Sequence, residues 1–171
     1  MKKKIFSLLL IVLFFSISTG CGDSKSDFPD NITTTEFSND ILSLKYPDTY
    51  TWENVTGDVY IFNHNRTSNT FHMRPSIKHG NSLEDETKYF IDLSNEISER
   101  NGFEQKATKI EDIEIDGKNA KFVTFENGIK DGAFLLIDYS TDSYYLIDFY
   151  FEFYEDNIQI IKAIAASIRF T

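Results

Sequence analysis

All three histidines of the chain, His64, His72 and His79, fall between Val59 and Leu83, together with Arg66, Arg74 and Lys78. The same stretch holds no Asp or Glu, although the chain as a whole has 27 acids against 17 Lys and Arg. A cationic stretch in an acidic chain attracts anionic groups locally, because exposed charges are screened beyond ~8 Å at physiological salt. Three imidazoles also supply the donor types of a metal site. Such a site needs three converging ligands, and spacing alone does not establish convergence. No metal is assigned, and His64, Arg66, His72, Arg74, Lys78 and His79 are taken as a candidate contact surface for a protein partner. The competing expectation is an ordinary solvated strand face with its turn.

Other arrangements that carry chemistry are weaker. Asp138, Asp148 and Glu152 could act as acid and base on adjacent strands, but a partly solvated strand face is the reading taken for them. Asp112, Glu114, Asp116 and Gly117 imitate the start of a calcium loop. The twelfth position is Val123, where a bidentate Glu is required, and the alternating Ile113 and Ile115 indicate a hairpin instead. The chain has no Gly-x-Ser-x-Gly, no Gly-rich phosphate loop and no His-Glu-x-x-His. No catalytic residue is assigned, and neither an enzyme nor a cofactor is expected. Asn31, Asn54 and Asn65 each begin an Asn-x-Thr triplet, which in an exported bacterial protein are chance matches.

Composition sets the class. With 171 residues, 41% hydrophobic and 15% aromatic, the chain suits one packed domain. A formal charge of -10 excludes a general nucleic-acid binder. The amino terminus reads as an address. Lys2, Lys3 and Lys4 precede an apolar run from Ile5 to Phe15, and small residues follow up to Cys21, the sole cysteine. The apolar run is too short for a span of ~20 residues. Ser18-Thr19-Gly20-Cys21 resembles the lipobox of bacterial lipoproteins, with Ser18 where that family prefers Leu. The resemblance implies cleavage before Cys21 and acylation of its thiol. Acyl chains such as palmitate, at ~0.8 kcal/mol per buried methylene, hold a protein on a membrane. Residues 1–20 are thus expected to be a lipoprotein signal peptide, and cleavage moves the net charge from -10 to -13 by removing three lysines and no acid. Residues 21–36 are polar and read as the lipidated Cys with a flexible tether. Residues 37–171 form the single domain.

Elements follow from periodicity. Ile41 to Tyr46 is a short strand ended by Pro47. Trp52 follows a polar turn. Val59–His64 and Phe71–Lys78 are strands, and Pro75 argues that the second is an edge or carries a bulge. Ser82 to Arg100 is the clearest helix. Ser82 caps it, Glu84, Asp85 and Glu86 fill its first turn, and Leu83, Phe90, Leu93 and Ile97 form its apolar stripe. Strands are expected at Lys109–Ile115, Ala120–Phe125, Phe134–Tyr139 and Tyr144–Phe153, with Asp116-Gly117 turning the first pair and a loop over Gly128–Gly132. In the last strand Ile147, Phe149, Phe151 and Phe153 face the core. Tyr144, Tyr150 and Tyr154 take the other face, where they pack beneath a helix or form an exposed aromatic rim. A helix from about Tyr154 to Ala166 buries Ile158, Ile161 and Ala165, and Ser167–Phe170 closes the sheet. The fold class is α+β. Apolar residues on both sides of Phe134–Tyr139 call for helices on both faces of the sheet.

Three stretches together resemble the PsbP-like family, in the superfamily shared with eukaryotic Ran-binding nucleotide-release proteins. They are Leu44-Lys45-Tyr46-Pro47-Asp48 with Trp52, Ile113-Glu114-Ile115-Asp116-Gly117-Lys118-Asn119-Ala120, and Ile164-Ala165-Ala166-Ser167-Ile168-Arg169-Phe170 after Tyr144-Tyr145-Leu146-Ile147. The resemblance spans Phe37 to Thr171. It implies an α/β/α sandwich around a central antiparallel sheet. It implies no shared enzyme activity, since the family's members are mostly accessory and binding proteins. The expected function is a binding or accessory domain of a lipoprotein, anchored through Cys21 outside a bacterial cytoplasmic membrane and acting by protein–protein contact. The alternative is a small-molecule or lipid-binding module with a pocket between sheet and helices.

Overall fold

The computed structural model describes residues 28–80, 82–103, 106–126, 131–151 and 154–171, without the side chains of Asp131 and of residues 154–156. The signal-type segment, Cys21, the 128–130 part of the expected loop, Glu152, Phe153 and the side chain of Tyr154 lie outside the described residues.

Strand pairing is antiparallel throughout. A seven-stranded sheet contains β3 (Tyr50–Thr56), β4 (Val59–His64), β5 (Thr70–Ile77), β6 (Lys106–Ile115), β7 (Lys118–Glu126), β8 (Asp131–Ile137) and β9 (Ser143–Phe151), in the spatial order β3-β4-β5-β9-β8-β7-β6. A smaller sheet has the order β1-β2-β10, from β1 (Thr34–Ser38), β2 (Leu42–Pro47) and β10 (Arg169–Phe170). Two helices complete the fold among the described residues, α1 (Leu83–Arg100) and α2 (Tyr154–Ser167). Among the described residues no helix is long and apolar enough to cross a membrane.

The hairpin joining β6 and β7 forms where Asp116-Gly117 allows it. Both residues take positive φ, 49° and 75°, the geometry a two-residue hairpin with right-handed twist requires. The Asp116 carboxylate then accepts the Phe170 backbone N–H at 2.8 Å, which ties this turn to the carboxyl-terminal strand. Ser167 does similar work at the end of α2. Its hydroxyl accepts from the Lys45 N–H at 2.9 Å and donates to the Ile164 carbonyl at 2.7 Å, clamping α2 to β2.

Alternate residues of the central strands enter two apolar clusters. The larger contains Phe71, Met73, Phe122, Leu135, Ile137, Tyr145, Ile147, Phe149 and Phe151, with Ile161, Ile164 and Ala165 of α2 and Leu42 and Leu44 of β2. The other contains Val123, Phe125, Phe134, Leu136, Tyr144 and Leu146, with Phe90 of α1. Leu83, Ile91 and Leu93 of α1 pack against it. The α1 amino terminus is capped as its sequence predicts, with the Ser82 hydroxyl accepting the Asp85 N–H at 3.1 Å.

Several expectations are corrected. The packed domain starts before Phe37: Phe28 is buried and β1 begins at Thr34, inside the stretch read as tether. Thr34, Thr35 and Glu36 carry no apolar signal because β1 contributes one buried residue, Phe37. Trp52 lies within a strand, β3. Six of its seven residues are exposed, so the alternation that marks a half-buried strand is missing. β5 is interior rather than an edge. Its pairing with β4 stops at Met73, however, so Pro75 has β9 on one side and no β4 partner on the other, which removes the need for its N–H. Ile97 is 51% exposed and does not join the buried stripe of α1. Tyr144 packs beneath a helix, and Ile158 is only partly buried against the core.

The burial contrast along α1 gives a direct test. Phe90→Ala should destabilise the domain by ~3–5 kcal/mol in urea unfolding, as for a buried aromatic removed from a core. Ile97→Ala should change it by less than ~1 kcal/mol. Equal effects of the two substitutions would contradict the packing described.

Candidate functional site

The cationic stretch of the sequence does not stay together in space, because an antiparallel sheet spreads consecutive residues along its full length. The Lys78 ammonium pairs with the Asp138 carboxylate at 2.6 Å and lies 4.6 Å from the Tyr144 ring centre. His79 stacks on Tyr89 at 4.7 Å, and its Nδ1 lies 2.9 Å from the Glu86 carboxylate. Glu86 is fully buried. Burial pushes its carboxyl up, but hydrogen bonds from the His79 ring and from the N–H groups of Gly80 and His79 outweigh burial, and the group lies below the usual carboxylate range. These contacts fix the loop into α1. His64 shapes the turn between β4 and β5: its Nδ1 accepts from the N–H groups of Arg66 and Thr67 at 3.2 and 3.1 Å. Arg66 is exposed on that turn.

His72 and Arg74 remain together, on the face of β5 opposite Phe71 and Met73. The register sets His72 directly across from Asp148 of β9. Arg74 reaches the same carboxylate diagonally, at 3.4 Å. The Tyr150 ring sits 5.4 Å from the His72 ring and is 43% exposed. Four polar groups that could bind or transfer protons thus share one face of β5 and β9: an imidazole, a guanidinium, a carboxylate and a phenol. Asp148 and Tyr150 are both shifted strongly by burial. Burial pushes the Asp148 carboxyl up to about 6 against the pull of the Arg74 guanidinium. Burial, with Arg74 adding to it, holds the His72 imidazole below its usual range.

The sequence grouped Asp148 with Asp138 and Glu152. The structure separates the first two, since Asp138 lies beyond the end of β8 and pairs with Lys78, whereas Asp148 faces Phe134 and His72. Asp112 and Lys121 were not singled out as a pair. Lys121, mostly buried, joins Asp112 at 2.8 Å to Glu84 at 2.6 Å, and these hydrogen bonds raise its ammonium above the usual range. The bridge holds α1 to the sheet. No group of three or more potential metal ligands converges among the described residues.

A concavity lies between β6, β7 and the end of α2, with a volume of ≈ 270 Å³. Its lining includes the apolar Ile113, Ile115, Phe122 and Ala165 and the charged Glu111 and Lys162.

The opposed shifts of Asp148 and His72 predict opposed pH effects. A raised carboxyl binds its proton more tightly in the folded state. Asp148 therefore stabilises the fold below the ordinary carboxylate range and loses that contribution, up to ~3 kcal/mol, as pH rises through about 6. His72, lowered in the folded state, stabilises it above the ordinary imidazole range and loses this as pH falls. In urea unfolding between pH 4 and 7, Asp148→Asn should flatten the Asp148 component and His72→Gln the His72 component. Profiles of both variants parallel to the wild type would contradict the assignment.

No family model matches the chain, and no curated protein matches it. Among solved structures, the solution structure of cyanobacterial PsbP (CyanoP) from Synechocystis sp. PCC 6803 is similar, with a TM-score of 0.65 at 13% identity, over 82% of this chain and 94% of that one. A likeness at this identity is one of backbone architecture. The chain has a PsbP-like fold.

Proposed function

We propose that this chain is a membrane-anchored extracytoplasmic lipoprotein whose PsbP-like domain acts as a binding or accessory module through protein–protein contact, rather than as an enzyme. Its architecture is then a sandwich with α1 and α2 on opposite faces of the central sheet, a reading supported by the alternation of β7, β8 and β9 residues between the two apolar clusters. The observation that carries the functional reading is the row Tyr150, His72 and Arg74. A half-exposed tyrosine and a partly exposed guanidinium lie on adjacent strands of the sheet. Tyr and Arg dominate the energetics of protein interfaces, because each joins a large apolar or planar body to a polar tip. Holding them on strands reduces the ordering cost of association.

The contact surface proposed is therefore narrower than the cationic stretch. Lys78 and His79 serve the loop before α1, and His64 serves a turn. Charge reversal at Arg74 is a poor probe, because Arg74→Glu would set a second carboxylate beside the mostly buried Asp148. Tyr150→Ala is cleaner. It should reduce recovery of a cross-linked partner from native membranes at least ~10-fold, with unfolding still cooperative and a stability loss of only ~1–2 kcal/mol for the half-covered ring. Wild-type recovery by this variant would overturn the reading.

A second reading, a module binding an apolar small molecule or lipid, is favoured by the concavity lined by Ile113, Ile115 and Phe122. Its volume of ≈ 270 Å³ falls just below the range of ~300–1,000 Å³ for ligand sites.

The anchor is tested separately. Cys21→Ala should move the protein from the membrane to the soluble fraction once the signal is cleaved. Full membrane retention of the cleaved variant would exclude lipidation at Cys21 as the anchor.

A further inference from the structure

We propose that the domain stands on the membrane with one defined end of its sheet, formed by the β2–β3 corner and the β4–β5 turn, against the phospholipid headgroups. The inference rests on the reading of Cys21 as the lipidated residue, and adds to it the surface that meets the bilayer.

The packed domain begins at Phe28, which is 6% exposed within the larger apolar cluster. From there the chain is held continuously. The Ile32 N–H donates to the Pro29 carbonyl at 2.9 Å, the Asp48 N–H donates to the Thr33 carbonyl at 3.0 Å, and Thr34 pairs with Pro47. Phe28 is only seven residues beyond Cys21. At ~3.6 Å per residue, seven residues reach at most ~25 Å.

The attachment point belongs to one end of the sheet. The Asn65 N–H donates to the Thr49 carbonyl at 2.9 Å, and Tyr50 pairs with His64. The β2–β3 corner and the β4–β5 turn therefore lie side by side, next to the residues that follow Phe28. β3 leads from this end to the other, where Gly57 and Asp58 form the β3–β4 turn. The Lys78 N–H donates to the Asp142 carbonyl at 3.2 Å at that far end. β5 alone has 8 residues, about 25 Å of strand.

The two lengths, ~25 Å each, weigh for one orientation. For the far end to touch the bilayer, the connection from Cys21 would have to run up the full height of the sheet at its maximum extension. With the near end down, no such extension is required. Net charge does not set this orientation: Asp30, Asp48 and Arg66 are all exposed around the near end, giving it mixed sign. The short connection sets it. The Tyr150 face then runs up from the membrane and is open to a neighbour in the same bilayer.

The test uses the full lipidated protein in phosphatidylglycerol–phosphatidylcholine vesicles. Cys21 is the only cysteine and its thiol is consumed by the lipid, so an introduced thiol is the sole labelling site. Thr49→Cys marks the near end and Asp58→Cys the far end, both at exposed positions. A fluorophore on each is read against a quencher carried by the lipid headgroups, with flotation measured on the same samples. Several-fold stronger quenching from position 49 than from position 58 is expected. Flotation with equal quenching, or with stronger quenching from position 58, overturns the orientation and leaves the anchor standing. Failure of both variants and the wild type to float removes the anchor reading and the orientation with it.

Discussion

Tyr144, Tyr145, Leu146 and Ile147 are four consecutive residues of β9, and none is more than 1% exposed. Consecutive strand residues point to opposite faces, so this strand must be covered from both sides. That requirement organises the rest of the molecule. One set of residues shares an apolar cluster with α2 and the small sheet, and the other shares a second cluster with Phe90 of α1. The capping of α1 by Ser82, the Lys121 bridge to Glu84 and the Ser167 clamp on β2 all hold a cover in place over β9 and its neighbours.

The candidate contact face arises where this double coverage changes character. On β9 the residues of the α1-side cluster are Tyr144 and Leu146, and next in the same row come Asp148 and Tyr150. Two apolar side chains give way to a carboxylate and a phenol, and β5 supplies His72 and Arg74 beside them. A carboxylate this deeply placed is costly when ionised. Its upward shift to about 6 expresses that cost, and Arg74 offsets part of it. The same arrangement leaves Tyr150 and Arg74 partly exposed on a firm support, which is what a contact surface needs.

Much of the fold was legible in the sequence, for reasons that particular residues make plain. The stripe of Leu83, Phe90 and Leu93 with a capping Ser82 specified α1. Asp116-Gly117 specified its hairpin through positive φ. The order of three short stretches pointed to the PsbP-like fold. What escaped detection was weakly patterned or non-local. β1 and β3 offer few buried residues, so burial wrote no alternation into them. The exposure of Ile97 depends on where the sheet under α1 ends. The candidate site was half legible. Its cations and its tyrosines stood out by composition, but the pairing of His72 with Asp148 depends on the register between β5 and β9, strands separated by α1 and three further strands. The apparent freedom of the cationic stretch from acids was a property of the linear sequence only. Asp138, Asp148 and Glu86 come to Lys78, Arg74 and His79 from elsewhere in the chain.

The central claim is that the face bearing Tyr150 is where this domain meets its partner. A photo-crosslinking amino acid placed at position 150, and in a separate strain at Ile110 on the outer strand β6, measures this most directly in intact cells. Both side chains are similarly exposed, at 43% and 47%, so accessibility alone does not separate them. The account predicts a discrete membrane-protein adduct from position 150 and none from position 110. Adducts from position 110 alone, or the same adducts from both, would contradict it.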